Sequence, residues 1–360
     1  MAQSQTLDAP HSAATRQVNG VRVWLLAVAA LVFLMVSVGG ATRLTGSGLS
    51  ITEWKPIVGT IPPLSQADWA DAFAKYRQIP QYHHVNRGMS LDEFKAIFWW
   101  EWAHRFLGRL TGVAFFVPFV AFLVLGQIPR AMTGRLVGLF ALGGLQGAVG
   151  WYMVASGLAE RIDVSQYRLA LHLALAIAIF GALIWVALSL DEREDTASSV
   201  RPTHAGGAAA IVLLVFIQIV LGAFVAGLKA GASYNTWPLM DGRLVPDGLG
   251  SMQPWYLNLF ENALAVQFNH RLVAYVLLLV ALWHARGVMR DVADPRARMT
   301  AMLLAGGVLA QAALGIGTLL AQVPLSLGLA HQAGAATVFG LAVWHLYAVR
   351  YPQVPARAAA

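Results

Sequence analysis

Four histidines are placed where chemistry is expected of them. His104, His172, His270 and His331 each lie in an apolar stretch long enough to cross a membrane, within a turn or two of its start. Their contexts are EWAHRFLGRL, RLALHLALA, QFNHRLVAYV and GLAHQAGAA. An ionisable side chain in hydrocarbon is costly and marks a functional site by default. Neutral imidazole is the commonest protein ligand for metals, haem iron included.

The neighbours of these histidines fit that chemistry. His104, Gly108 and Gly112 follow at i, i+4 and i+8 on one helical face, Ala274 lies four residues after His270, and Gly334 three after His331. Small residues there would let a porphyrin approach the backbone. Arg105 and Arg271 directly follow a histidine, Arg109 lies one turn on from Arg105, and Arg168 lies four residues before His172. The guanidinium fork suits haem propionates, although arginines at such positions can also snorkel to headgroups. Carboxylates are few. Glu101 stands at i−3 from His104, and Glu53 lies in a loop beside Trp54. Either could accept a proton or stabilise a cation, or be a solvated loop charge.

Composition narrows the field. Of 360 residues, 58% are hydrophobic and 12% charged, and the mean hydropathy is +0.59; a soluble domain is not this apolar. The net charge of +7 comes from bases scattered between apolar runs, which speaks against nucleic acid and for a role in membrane orientation. There is no cysteine. That excludes disulfides, thiolate-held metals, iron–sulfur clusters and covalent c-type haem attachment.

The elements that must hold the histidines are eight predicted spans, near 21–41, 100–126, 134–157, 168–190, 207–228, 263–285, 300–322 and 326–349. The first resembles a signal peptide in its small flanking residues, but a counterpart in the second half makes it a retained helix. Arg130, Arg135, Arg193, Arg201, Arg286, Arg290, Arg296, Arg298 and Arg350 all fall on one side. The positive-inside rule makes that side cytoplasmic, with both termini. The histidines then lie near the outer ends of the even-numbered spans, under two long outer loops, 44–98 and 229–262. In the first loop Ser65 and Ser90 read as helix N-caps. The pairs Trp69/Phe73 and Phe94/Phe98 suggest short amphipathic helices lying on the membrane surface.

The chain repeats itself. His104-Arg105 recurs as His270-Arg271 at an offset of 166 (270 − 104), Gln146 as Gln311 at 165 (311 − 146), His172 as His331 at 159 (331 − 172), and Trp54 as Trp237 at 183 (237 − 54). The fold class expected is an all-α integral membrane protein with two tandem four-helix bundles, related by a pseudo-twofold axis along the membrane normal. The expected layout is a disordered tail at 1–21, a first unit at 22–190, a linker at 191–206, a second unit at 207–350 and a tail at 351–360. Each unit carries two histidines at one depth, the arrangement of bis-histidine haem in a bundle core. Histidines bonding only to neighbouring helices, or acting as a transporter's proton relay, remain as rivals. His284 and His345 each lie 14 residues beyond a proposed ligand (284 − 270 and 345 − 331), roughly on the same face. They sit beside Trp283 and Trp344 and read as interfacial.

TGSGLSITEWKPI, MSLDEFKAIFWWEWAHRFLGRLTG, LGGLQGAVGWYMVASGL, YNTWPLMDG, NHRLVAY and LAHQAGA together resemble the heme A synthase family over about residues 20–350. The resemblance is to its cysteine-free proteobacterial and mitochondrial branch. It implies an oxidoreductase of the cell membrane that converts heme O to heme A for terminal oxidase assembly, oxidising a porphyrin methyl group to formyl by successive hydroxylations. It also implies that His270 and His331 ligate a resident haem b, that His104 and His172 flank the substrate haem, and that a carboxylate in the region of Glu53 is functional. A heme O synthase and an electron donor are implied partners, and a homo-oligomer is compatible with it. A multi-haem b-type cytochrome that only transfers electrons is the alternative.

Overall fold

The structure is a computed structural model that describes residues 9–55, 57–159, 161–190 and 204–352, with side chains from residue 19 onward. Among the described residues, ten α-helices follow one another: α1 (Ala9–Leu44), α2 (Gln66–Tyr76), α3 (Pro80–His84), α4 (Leu91–Val124), α5 (Arg130–Leu158), α6 (Gln166–Leu188), α7 (Ala205–Gly227), α8 (Ala263–Asp291), α9 (Pro295–Leu320) and α10 (Leu325–Arg350). Among the described residues, eight of these are long and apolar enough to cross a membrane: α1, α4, α5, α6, α7, α8, α9 and α10. Every predicted span corresponds to one of them. In hydrocarbon a chain must satisfy its backbone polar groups internally, which helices do.

The helices start where polar groups can meet the first unpaired amides. Ser65 and Ser90 each form a reciprocal capping box, with Asp68 and Glu93 respectively. Asn262 caps α8 through Leu264 N and Ala265 N. Asp294 caps α9 ahead of Pro295 at its first position.

α1, α6, α7 and α10 pack together in the middle, joined by the largest buried apolar cluster, which includes Leu25, Ile177, Leu183, Ile211 and Ala342. α4 lies on α1, α5 on α6, α8 on α7 and α9 on α10. α1 and α7 are tied at their C-terminal ends by a hydrogen bond from Arg43 to the carbonyl of Ala226. Gln332 of α10 donates to the carbonyl of Val36 on α1. The two flanks differ. α8 and α9 pack along each other, whereas α4 and α5 touch sparingly, with Phe140 stacked on Phe115 and Phe116. Cβ atoms added at Gly112, Gly143, Gly144 or Gly147 would meet nothing.

Three expectations are corrected. The polar stretch at 1–21 is not disordered from end to end: α1 already runs from Ala9, while residues 1–8 lie outside the described residues. Extending an existing helix avoids the nucleation cost, and Ala, Arg and Gln are good helix formers. The helix capped by Ser90 is not a separate surface element but the first turns of α4, because 91–100 contains no glycine or proline to end it. Phe94 and Phe98 therefore turn inward, into an outer cap with Leu49, Tyr76 and Ile79. Finally, His284 and His345 do not face outward as an aromatic belt would: both are buried inside the protein. Their Nε2 atoms lie 2.9 Å apart, and His345 Nδ1 lies 2.9 Å from Thr300 Oγ1. The neighbouring Trp283 is the exposed residue. Of the proposed linker 191–206, residues 191–203 lie outside the described residues; so do 353–360 of the 351–360 tail.

Candidate functional site

Each of the four histidines points from its helix onto a glycine of the preceding long apolar helix. A Cβ built on Gly39 of α1 would lie 3.1 Å from His104, on Gly150 of α5 3.0 Å from His172, on Gly222 of α7 3.2 Å from His270, and on Gly315 of α9 2.7 Å from His331. No side chain larger than hydrogen fits under these rings undisturbed. The repeat read from the sequence therefore extends to atomic contacts.

His270 and His331 face each other. Their ring centres are 6.5 Å apart and their planes are 81° from parallel. Two imidazoles about 2 Å from one shared metal would have ring centres roughly 6 Å apart. His104 and His172 likewise lie within electrostatic range of each other. Among the described residues no three histidines or carboxylates converge as they would on a bare ion. The arrangement suits two axial ligands of a planar group whose other donors are its own.

Three glutamines complete the setting. Gln146 Nε2 donates to the backbone carbonyl of His172 (3.1 Å), Gln218 Nε2 to that of His270 (2.9 Å) and Gln311 Nε2 to that of His331 (2.7 Å). Each amide nitrogen also lies 3.1–3.2 Å from the Nδ1 of the same histidine. The amide oxygens of Gln146 and Gln218 are buried, with no hydrogen-bond partner among the described residues. Gln146 and Gln311 were visible in the sequence only as markers of the repeat, and Gln218 escaped notice. The signal was present: Q-x-x-x-G recurs as Gln146/Gly150, Gln218/Gly222 and Gln311/Gly315.

The arginines brace the outer loops. Arg105 donates to the carbonyls of Ile51 (2.7 Å) and Glu53 (2.9 Å) and, through Nε, to Glu101 Oε1 (2.6 Å). Arg271 repeats the pattern with the carbonyls of Tyr234 (2.9 Å) and Thr236 (2.8 Å) and with Gln267 Oε1 (3.2 Å). Arg109 donates to the carbonyl of Lys55 (2.9 Å). Arg168 donates to the carbonyl of Tyr152 (2.7 Å) and lies over its ring at 3.7 Å. Part of each guanidinium is thus committed to backbone, and Arg271 Nε is buried without a partner among the described residues.

The two candidate carboxylates part company. Glu101 is 3% exposed and paired with Arg105. Glu53 is half exposed and bridged to Lys55 (3.0 Å) and Lys75 (2.9 Å). Hydrogen bonds from Lys75 and then Lys55 hold its carboxyl below the usual range. Only its backbone carbonyl reaches Arg105.

Residues 22–343 match the family model described as cytochrome oxidase assembly protein. A protein of Parvibaculum lavamentivorans named heme A synthase is 58% identical over 91% of this chain and 94% of its own length. Proteins of the same name from Chelativorans sp. (54% identical, 96% of each chain) and Rhizobium meliloti (52%, 94% of this chain and 92% of the relative) are similar over nearly their full lengths. With two thirds or more of both chains aligned at these identities, the chain belongs to the cytochrome oxidase assembly protein family that includes the heme A synthases.

Proposed function

We propose that this chain is a heme A synthase, an oxidoreductase that takes heme O as substrate and converts one porphyrin methyl group to formyl. The observation that carries the reading is the facing pair His270 and His331, in a chain more than 50% identical to proteins of that name. The residues present fit a haem. The rings of His270 and His331 are spaced for a shared iron, glycines lie under the rings, and the amide nitrogens of Gln218 and Gln311 bond the histidines' backbone carbonyls and approach their ring edges.

The division of labour follows the notional halves, 22–190 and 207–350. His270 and His331 would hold a resident haem b, which when bound supplies electron transfer, since two histidine ligands leave its iron no open position. Gln218 and Gln311 restrain those two rings, and Arg271 fixes the loop above them while keeping two N–H groups for a propionate. His104 and His172 would flank the substrate. Arg105, anchored by Glu101, holds residues 51–53 over that pair, and Arg109 holds Lys55, so the first outer loop keeps water from the site. Arg105 and Arg168 retain donors for the substrate's propionates. Glu53 is the weaker of the two candidate catalytic groups, because its carboxylate faces two lysines. The sparse contact between α4 and α5 supports entry of an apolar-tailed substrate from the bilayer.

This reading places the protein in the inner membrane, with both termini cytoplasmic and the haem sites toward the outer face. It implies a heme O synthase as supplier and a separate electron donor, and it is compatible with a homo-oligomer. The deciding experiment extracts porphyrins from cells that make heme O, with and without this chain. Heme A should appear only with the chain. Bound haem without any heme A would identify an electron-transfer cytochrome, and a colourless protein would remove haem from the account.

A further inference from the structure

The internal repeat is broken at one position that bears directly on a histidine. On α5, α7 and α9 a glutamine stands four residues before the glycine under the imidazole. The offset of 183 that aligns Trp54 with Trp237 also aligns Gly39 with Gly222, and it aligns Met35 with Gln218. α1 therefore carries M-x-x-x-G where the other three helices carry Q-x-x-x-G. Met35 turns its methyl toward Gly108, one turn beyond His104, where an added Cβ would be 3.4 Å away. It offers no amide N–H to the carbonyl of His104 or to its ring. Among the described residues no hydrogen bond restrains the His104 imidazole. The ring also sits differently: Gly39 faces its Nε2, whereas Gly150, Gly222 and Gly315 face Cε1.

A hydrogen-bonded partner of a metal-ligating histidine fixes the ring's orientation. We propose that Met35 makes His104 the weakly held axial ligand of the first-half pair, so that a porphyrin iron between His104 and His172 can open one position, whereas Gln218 and Gln311 keep both ligands of the second pair engaged. This rests on the assignment of His104 and His172 to a haem. It adds a physical reason for the two halves to differ, which the histidines' own local sequences do not supply. Met35 is a positioning residue by omission: its effect is the clamp it does not provide.

The test uses the purified full chain carrying its haems, with carbon monoxide as the probe of an open position on ferrous iron, read by absorption, and ferric spin state read by electron paramagnetic resonance. Met35→Gln should lower the carbon monoxide-reactive fraction by about 10-fold, the lower end of what outer partners contribute to metal binding, and move the ferric signal toward low spin. Gln218→Met should do the reverse, giving a new reactive fraction from the second-half haem. Unchanged carbon monoxide reactivity in Met35→Gln, at an unchanged haem-to-protein ratio, overturns the proposal while leaving the pair assignment intact. If that variant does not accumulate, Gln218→Met decides alone, and no gain of reactivity there overturns it. His104→Ala and His172→Ala separate the two layers: if neither changes the haem content or spectrum, the first-half pair holds no haem, and both the assignment and the proposal fall.

Discussion

Arg105 and Glu101 form an ion pair of 2.6 Å one turn apart on α4, almost wholly removed from solvent. The counterpart of Glu101 in the second half is Gln267, which accepts from Arg271 at 3.2 Å. A neutral acceptor thus serves the same purpose under the second loop. Glu101→Gln should keep Arg105 on the carbonyls of Ile51 and Glu53, with a small loss of stability. Glu101→Ala leaves a buried guanidinium uncompensated and should cost about 3–5 kcal/mol. Thermal unfolding in detergent measures both. Heme A production retained in Glu101→Gln would make the residue a brace, and loss in Gln and Ala alike would make it a proton-transferring group.

The glycines beneath the rings make a steric prediction. A Cβ at Gly315 would sit 2.7 Å from His331 Cε1, whereas one at Gly317 would meet nothing within 4 Å. Both lie on α9, so helix propensity acts equally on each and favours alanine. Gly315→Ala should displace the His331 ring and strip haem from the second half. Gly317→Ala should be neutral or slightly stabilising. Haem-to-protein ratios of the two variants decide, and equal retention would mean that the ring moves aside freely.

Much of this was legible in the sequence, for physical reasons that can be named. The spans were, because hydrocarbon demands about 20 apolar residues in succession. The four histidines were, because polarity in such a run stands out. The caps at Ser65 and Ser90 were, because their chemistry is local. What was not legible depends on contacts between helices. Gln146, Gln218 and Gln311 look like ordinary polar residues until α5, α7 and α9 are set beside the histidines. That Arg105 and Arg271 also brace loop carbonyls was not legible, because Ile51, Glu53, Tyr234 and Thr236 lie far from them in sequence. His284 and His345 read as interfacial because a residue's depth is set by its helix but its direction by its neighbours.

The inner-end pair tests how such a contact is valued. His284 Nε2 and His345 Nε2 share one proton position at 2.9 Å, and Thr300 Oγ1, whose own hydrogen can go to the carbonyls of Arg296 or Ala297, accepts from His345 Nδ1. His345→Leu leaves His284 Nε2 buried without its partner and should cost about 1–3 kcal/mol. Replacing both histidines with leucine should recover part of that loss. Neither change should alter the haem spectrum, since the pair lies roughly 21 Å along α8 and α10 from His270 and His331. A double-mutant cycle on unfolding midpoints, with spectra alongside, checks both statements; loss of haem in the single variant would tie the inner pair to the outer site.

The Glu53 bridge predicts a pH dependence confined to the first outer loop. Hydrogen bonds from Lys75 and Lys55 lower the Glu53 carboxyl from its ordinary value of 4.5, and Asp71 and Glu53 raise Lys75 from 10.5. A depressed carboxyl stabilises the fold above its unfolded value and loses that contribution as pH falls through its folded value. A raised lysine contributes below its unfolded value and loses it as pH rises through the folded one. The loop should therefore hold steady between about pH 5 and 9 and loosen on either side. Because the groups are largely solvated, salt should weaken the effect. Amide hydrogen exchange over residues 51–76, corrected for intrinsic rates, measures it. In Glu53→Gln the acid limb at this bridge should disappear while Arg105, bound to the backbone carbonyl of residue 53, stays in place. An acid limb of the same size in that variant would assign the pH response to another group.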